Sequence, residues 1–233
     1  MPLPHASDRG QSMVVSYIAI RRAIGLSGLL LPIVLGLGGL AIGVPIQDNI
    51  SSYYHTPMRD IFVGTMSAIG IFFLCYRGVD WIESWTANIG CVAALCVALC
   101  PLDANSDPLF QKSIVGYLHT FSGGVFFLML AFYSLVHFPR SGDEFDEPHL
   151  WERRFIYRTS GTVILLSMLA MGGYMVFIPT AWKQWLNDWN FLFWMECIAV
   201  WAFAAAWLTK GHAIVAEIGV ELLSIPTRML KRS

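Results

Sequence analysis

Charged residues are scarce in this chain. Only 13% of its 233 residues are Asp, Glu, Lys or Arg, whereas 56% are hydrophobic. An ordinary soluble domain has about 25% charged residues, so the composition excludes that class and predicts a membrane protein. The net charge of −1 neither favours nor excludes nucleic acid. We expect membrane lipids as partners and no nucleic acid.

Cysteines are few and short-spaced metal motifs are missing. The five cysteines are odd in number and all lie in or at the ends of apolar runs, which argues against a disulfide framework. We predict that they pack as small apolar side chains. Cys96 and Cys100 are four residues apart on one helical face, which leaves a soft-metal site open as an alternative. The sequence has no His-Glu-x-x-His motif that would fix two metal ligands by their spacing.

The apolar residues are gathered into six runs of about twenty residues, the length that crosses roughly 30 Å of hydrocarbon as a helix. Because lipid offers no hydrogen bonds to the backbone, the sequence predicts an all-α bundle in a single domain. The first run is too long for a removable signal peptide. Residues 212–233 are predicted to form an amphipathic cytoplasmic tail. The predicted spans are 23–46, 57–76, 85–101, 115–138, 155–179 and 190–209.

Basic residues are distributed unequally between the two predicted sides. Only Arg59, Lys112 and Lys183 follow spans one, three and five, and the other twelve lie on the opposite side with both chain ends. The positive-inside rule therefore predicts cytoplasmic termini and places 51–60 outside. Small residues in the first span let another helix backbone approach closely. We therefore predict that this span packs against a neighbouring helix, which includes the helix of a second copy in a homo-oligomer or of a membrane-protein partner. The small residues are Gly25, Gly28, Gly36, Gly38, Gly39 and Gly43.

The polar and aromatic segment 51–60 separates the first two spans. Thr56 and Pro57 predict the start of the second helix, with Thr56 as N-cap and Pro57 at the first helical position. Asp60 then falls in the first turn, where a negative charge suits the helix dipole. Ser51 and His55 share a face only if 51–55 forms a helical turn.

Two ionisable residues in later spans are predicted to reach the same depth. His119 lies just inside the outer boundary of the fourth span, and Glu196 lies about two turns into the sixth. A carboxylate at such a depth costs about 2–3 kcal/mol and usually faces a partner inside the bundle. Together with segment 51–60, these residues predict one site built from three parts of the chain.

A hydrolytic zinc centre is one hypothesis for this site, since zinc binds His, Asp and Glu and activates water. His55, His119 and Glu196 are the candidate ligands, with Asp60 as general base or as a residue that supports a ligand. Ser51 or Arg59 is the candidate for holding an oxyanion or phosphate. Taken singly, each histidine is more simply a hydrogen-bonded interface residue. A haem between His119 and His137 is excluded, because about 27 Å separates them along one helix.

The sequence resembles a known group over most of its length. Ser-Ser-Tyr-Tyr-His-Thr-Pro-Met-Arg-Asp-Ile-Phe-Val-Gly at 51–64, Phe-Trp-Met-Glu at 193–196 and Trp-Leu-Thr-Lys-Gly at 207–211 resemble bacterial polytopic membrane proteins without a known activity. The resemblance implies a bacterial inner-membrane location.

A second similarity is to the superfamily of alkaline ceramidases and progestin/adiponectin-type receptors. These membrane hydrolases bind zinc through a Ser-x-x-x-His element, an Asp and a His-x-x-x-His pair. Ser51 and His55 match the first element, and Asp60 or Asp103 corresponds to the Asp. The chain departs from that pattern, because the superfamily has seven helices with the His pair on the last. This chain has six predicted spans and offers Glu196 there.

Three functions follow as hypotheses. The first is a metal-dependent, lipid-directed hydrolase with an outward-facing site. The second is a non-catalytic scaffold or subunit of a complex, in which polar residues hold helices together. The third is a small-solute or proton transporter, in which Glu196 and the histidines relay protons. The inner half of the bundle shows few ionisable residues besides His137, which counts against transport.

Overall fold

The computed structural model describes residues 6–76, 78, 80–104, 108–140 and 150–230, and of these it describes only the backbone at 6–18, 180–181 and 212–230. The described residues are helical or irregular and contain no strand. The predicted all-α class is therefore confirmed. The helices are α1 Ala6–Ile33, α2 Arg59–Cys75, α3 Trp81–Leu99, α4 Ile114–Phe132, α5 Leu150–Phe177, α6 Thr180–Asp188 and α7 Phe191–Leu230.

Five shorter helical segments complete these elements. A π-helical turn, Val34–Gly38, and the short helix Gly39–Ala41 extend α1. Another π-helical turn, Tyr133–His137, and the short helix Phe138–Arg140 extend α4. Gly43 ends the first of these extensions with a φ of +81°, a conformation that glycine adopts without steric cost. A 3₁₀ helix, Ile50–His55, lies in the loop before α2.

The six long helices form a closed ring in chain order. Each of α1 to α5 packs against the next long helix, with α5 packing on α7, and α7 packs back on α1. Gly25 and Gly28 of α1 face α7 of the same chain, since a Cβ on Gly25 would overlap the Leu208 side chain. These two glycines therefore serve packing within the chain. An oligomeric contact through the first helix stays a prediction.

Among the residues that the structure describes, five stretches are long and apolar enough to cross a membrane: Ala19–Ala41, Trp81–Leu99, Ile114–Arg140, Leu150–Phe177 and Phe191–Gly211. They agree with five of the predicted spans. The predicted span 57–76 corresponds to α2, which has 17 residues and is shorter than these five. Six crossings and cytoplasmic termini stay predictions. Residues 212–230 continue α7 without a break, so the predicted tail is helical over that range.

The start of α2 differs from its prediction. The helix begins at Arg59, two residues later than expected, because Thr56 is extended and ends the 3₁₀ helix. The Thr56 hydroxyl donates to the Tyr53 carbonyl at 2.8 Å and accepts from the Met58 amide at 3.1 Å. Asp60 nevertheless lies in the first turn of α2, as predicted.

The ring has two ends with different chemistry. The end formed by loop residues 42–58, 100–104 and 108–113 and by α6 is called the cavity end. At the opposite, tail end, Arg21 Nη2 donates to Tyr76 Oη at 2.6 Å and Tyr76 donates to Glu83 Oε1 at 2.5 Å. The ring of Trp207 packs there among aromatic rings 5.0–5.5 Å away, those of Phe73, Tyr76, Tyr133, Phe138 and Phe203.

Candidate functional site

The segment that contains Ser51 and His55 is a 3₁₀ helix rather than an α-helical turn. Asn49 caps it, since its Oδ1 accepts from the Ser52 amide at 2.8 Å. A 3₁₀ helix has three residues per turn, so side chains four apart lie on different faces. Ser51 is accordingly buried, at 8% exposure, whereas His55 is exposed.

Glu196 joins α7 to this segment. Its Oε2 accepts from the Ile50 amide at 2.7 Å, and one turn earlier the Phe193 amide donates to the Asp48 carbonyl at 2.8 Å. The Glu196 carboxyl thus has the interior partner that its depth predicts. That partner is a backbone amide 146 residues away in the chain.

Both candidate histidines bond to the loop that follows α3. His119 is 4% exposed, and its Nδ1 lies 2.6 Å from the Cys100 carbonyl oxygen. His55 Nε2 lies 2.8 Å from the Leu102 carbonyl oxygen. A carbonyl can only accept, so His119 Nδ1 carries a proton, and the Val97 backbone is a second partner of this ring.

Ser51, His119 and Glu196 line one cavity of about 240 Å³. All three lie at the cavity end: Ser51 in the loop, and the other two within the first two turns of their helices. Deeper positions along the helices supply an apolar wall. The polar lining residues are Asn49, Ser51, His119, Thr120 and Glu196, and the apolar ones include Leu31, Phe62, Met66, Val97, Phe126, Phe127, Met168, Met171, Met175 and Val200.

A second, polar cleft of about 940 Å³ adjoins the cavity and shares Asn49, Leu102 and Pro108 with it. His55 and Asp103 line this cleft together with α6. Asp103 Oδ2 accepts from the Lys112 and Ser113 amides, at 2.5 and 2.8 Å, and Oδ1 accepts from the Ser113 hydroxyl at 2.7 Å. These bonds hold the pKa of Asp103 below its ordinary value, chiefly through the Ser113 hydroxyl.

The gap that leads into the cavity lies between α4 and α5. A Cβ on Gly124 of α4 or on Gly172 of α5 would meet nothing within 4 Å, and Gly172 is exposed. At the tail end the two helices touch, because a Cβ on Gly161 would overlap Leu135 and come within 3.2 Å of Ser134 Cβ. The helices are therefore in close contact near Gly161, whereas Gly124 and Gly172 leave open space beside the cavity and Phe127 of α4 packs against the cluster of Met171, Tyr174 and Leu192.

The other predicted site residues lie outside the cavity. His55 lines the polar cleft. Arg59 is exposed, donates from Nη2 to Tyr54 Oη at 2.8 Å and stacks 4.4 Å from the centre of that ring. Asp60 is exposed on the first turn of α2. The structure thus brings together three of the six predicted residues.

The residues present do not fit the predicted zinc centre. Within the part of the chain that the structure describes, no group of three His, Cys, Asp or Glu side chains could hold a metal ion. His55, His119 and Glu196 are all in that part and therefore have no common centre. His55 lines the polar cleft and bonds to the Leu102 carbonyl, whereas His119 and Glu196 line the cavity.

Two sets of residues in the structure were not predicted from the sequence. Asn49 and Thr120 line the cavity but carry no charge that would single them out. At the tail end, Arg21 and Glu83 are 3% and 4% exposed, although charged residues at helix ends are usually solvated. Tyr133 Oη also donates to the Glu83 carbonyl, at 2.9 Å. The nearby tyrosines were the one available signal for this network.

No family model, curated protein or solved structure matches the chain. The resemblances drawn from segment 51–64 therefore stay predictions, and function must be argued from the site itself.

Proposed function

We propose that the chain is a six-helix integral membrane protein whose cavity end binds an amphiphilic molecule. The observation that carries this proposal is the arrangement of the cavity lining. Polar groups of Ser51, His119 and Glu196 gather at one end, and apolar side chains continue along the helices. A molecule with one polar end and one apolar chain matches that arrangement.

The closed ring of helices supports six crossings. α2 packs between α1 and α3 and runs between the cavity end and the tail end, as they do. Both of these neighbours contain stretches that are apolar enough to span a membrane. The 17 residues of α2 extend about 25 Å, near the lower limit for a crossing. Of the 15 basic residues in the sequence, only Arg59, Lys112 and Lys183 belong to the loops and helix ends of the cavity end. Because the positive-inside rule puts the side with most basic residues in the cytoplasm, the cavity end would lie outside a bacterial inner membrane.

The size of the cavity limits how much of the ligand it encloses. At about 240 Å³ it is smaller than the ~300–1,000 Å³ pockets that enclose drug-sized ligands. The gap beside Gly124 and Gly172 gives the rest of an apolar chain a route into the lipid. The proposed complex therefore holds the polar group and the first part of the chain.

Hydrolysis of a lipid ester or amide is a second candidate, favoured by the presence of Ser51 and His119 in one cavity. The Cys100 carbonyl orients the His119 ring, which would take the Ser51 proton. The Ser51 oxygen would attack the carbonyl carbon of the lipid, and His119 would pass the Ser51 proton to the leaving alcohol or amine. Water then releases the acid from Ser51.

The binding proposal is tested with a neutral single-chain probe, labelled n-decanol, on protein in phosphatidylcholine nanodiscs. Gly172→Leu should fill the gap and weaken binding about tenfold or more, which corresponds to about 1.4 kcal/mol. Gly173→Leu is the matched control, because a Cβ there also meets open space and Gly173 does not line the cavity. Equal binding to wild type and Gly172→Leu would contradict the proposal.

The hydrolase candidate is tested by the release of fatty acid from ester and amide lipids. Ser51→Ala and His119→Ala should each lower the rate by about 10²–10⁴-fold while decanol still binds. Wild-type protein that binds decanol but releases no acid from either lipid would leave binding as the function.

A further inference from the structure

The Glu196 carboxyl has one hydrogen-bond donor for two oxygens. The Ile50 amide donates to Oε2 at 2.7 Å, and among the described residues no other hydrogen bond and no ion pair reaches this side chain. The residue lines the cavity at its polar end. Oε1 is therefore the group that a ligand can meet.

The cavity lining around the Glu196 carboxyl has no Lys or Arg side chain among the described residues. His119 is the one other titratable group among the described residues of this lining. Two basic residues at the same end, Arg59 and Lys183, have other partners. Arg59 stacks on Tyr54, and Lys183 donates to the Met175 carbonyl at 3.0 Å and lies 5.4 Å from the centre of the Tyr174 ring. Among the residues that the structure describes, the cavity lining thus contains a carboxyl group and no Lys or Arg side chain.

The polar end of the cavity presents two acceptors. Besides Glu196 Oε1 it offers the Ser51 hydroxyl oxygen, while Asn49, whose Oδ1 accepts from the Ser52 amide, contributes its Nδ2 as a donor. Thr120 adds no donor, because its hydroxyl donates to the Pro108 carbonyl at 2.6 Å. A primary ammonium has three N–H donors and no acceptor. Its charge and its hydrogen-bonding pattern both complement the two acceptors.

We propose that the molecule bound at the cavity end is an amphiphile whose polar end carries an ammonium group, with Glu196 as its counter-ion. This inference rests on the proposed function and specifies the ligand class of the same cavity. Anionic head groups are disfavoured there, because they would meet a carboxylate with no basic side chain beside it.

The test compares three labelled probes of equal chain length: n-decylamine, n-decanol and decanoate. Binding is measured in phosphatidylcholine nanodiscs, whose surface carries no net charge that would concentrate the amine. Wild-type protein should bind the amine about tenfold more tightly than the alcohol, and the acid most weakly.

Glu196→Gln is the informative variant, because the amide oxygen still accepts from the Ile50 amide while the charge is gone. It should reduce the ratio of amine affinity to alcohol affinity about tenfold, because only the amine carries a charge that pairs with the carboxylate. Circular dichroism and a single elution peak verify that it is folded. The wild-type order of affinities is a test that needs no variant at all.

The outcomes separate this inference from the proposed function. If Gly172→Leu abolishes binding of both amine and alcohol but wild type does not prefer the amine, the ammonium assignment is overturned and the cavity stands. The same holds if Glu196→Gln keeps the full preference. If Gly172→Leu binds all three probes as tightly as wild type and Gly173→Leu do, the cavity is not the site and both proposals fall.

Discussion

Asp103 is the residue that fixes the loop between α3 and α4. Its carboxylate accepts from two consecutive amides, Lys112 and Ser113, and from the Ser113 hydroxyl. Ser113 in turn caps α4 by accepting from the Gly116 amide at 3.0 Å. One carboxylate therefore positions the start of the helix that carries His119.

This arrangement predicts a pH dependence of stability. Because hydrogen bonds lower the pKa of Asp103 in the folded chain, its contribution is fully present above the unfolded pKa of about 4. It is lost as the pH falls through the lower, folded pKa. Asp103→Asn should melt at a lower temperature than wild type at pH 7, and the difference should shrink below pH 4. Melting curves in detergent from pH 3 to 8 measure both; a constant difference would contradict this account.

Single residues also show what sequence could and could not predict about the site. Glu196 was recognisable because a carboxylate in an apolar run needs a partner, but its partner is a backbone amide, which no side-chain pattern reveals. His55 was predicted to join the same centre because its segment lies at a depth similar to that of His119 and Glu196. The 3₁₀ geometry of 50–55 turns that ring toward the polar cleft instead.

At the scale of elements, the pairing of α4 with α5 changes along its length. Gly161 allows close contact with Ser134 and Leu135, whereas Gly124 and Gly172 leave space open. Glycines in apolar helices are usually interpreted as packing residues. Here that interpretation holds near the tail end and fails near the cavity end, because the function of a glycine depends on what faces it.

Two leucine substitutions on α5 test this contrast. Gly161→Leu should destabilise the protein by about 1–3 kcal/mol, because the new side chain has no room beside Leu135. Gly172→Leu should change stability by less than about 0.5 kcal/mol, because it enters open space. Unfolding by a denaturing detergent measures the stability of both variants against wild type. An equal loss of stability in Gly161→Leu and Gly172→Leu would show that the gap does not exist.

The apolar runs predicted the number and order of the long helices but not all of their features. A run marks residues that suit hydrocarbon, so it says little about helix beyond that layer, such as residues 6–18 or 212–230. The π-helical turns at 34–38 and 133–137 depend on a local change of hydrogen-bond register. Hydrophobic periodicity does not report such a change.

At the scale of the whole molecule, a buried polar network joins helices at the tail end. Arg21 of α1 donates to Tyr76 after α2, which donates to Glu83 of α3, and Tyr133 beyond α4 donates to the Glu83 carbonyl. Lys210 of α7 is buried at the same end, at 6% exposure. The tail end is thus held by polar contacts among several helices.

Removing one hydroxyl from this network should weaken the whole bundle. Tyr76→Phe keeps the aromatic contacts with Tyr133 and Trp207 but breaks the link between Arg21 and Glu83. Hydrogen bonds to charged groups contribute about 1.5–3 kcal/mol each to stability, and we expect Tyr76→Phe to lower the free energy of unfolding by about that amount. Tyr54→Phe, which removes an exposed hydroxyl bonded to Arg59, is the control and should change stability little. Equal stability of Tyr76→Phe and wild type would show that the network is not structural.

The crossing of the membrane by α2 decides the topology of the whole chain. α2 is the shortest of the six long helices, and the assignment of the cavity to the outer face depends on it. Asp48 and Trp81 flank α2 and are exposed, so Asp48→Cys and Trp81→Cys report the two sides. In a background with the five native cysteines replaced, an impermeant maleimide should label position 48 in intact cells and position 81 only after permeabilisation. Labelling of both from one side would mean that α2 does not cross, and the reverse pattern would place the cavity in the cytoplasmic half.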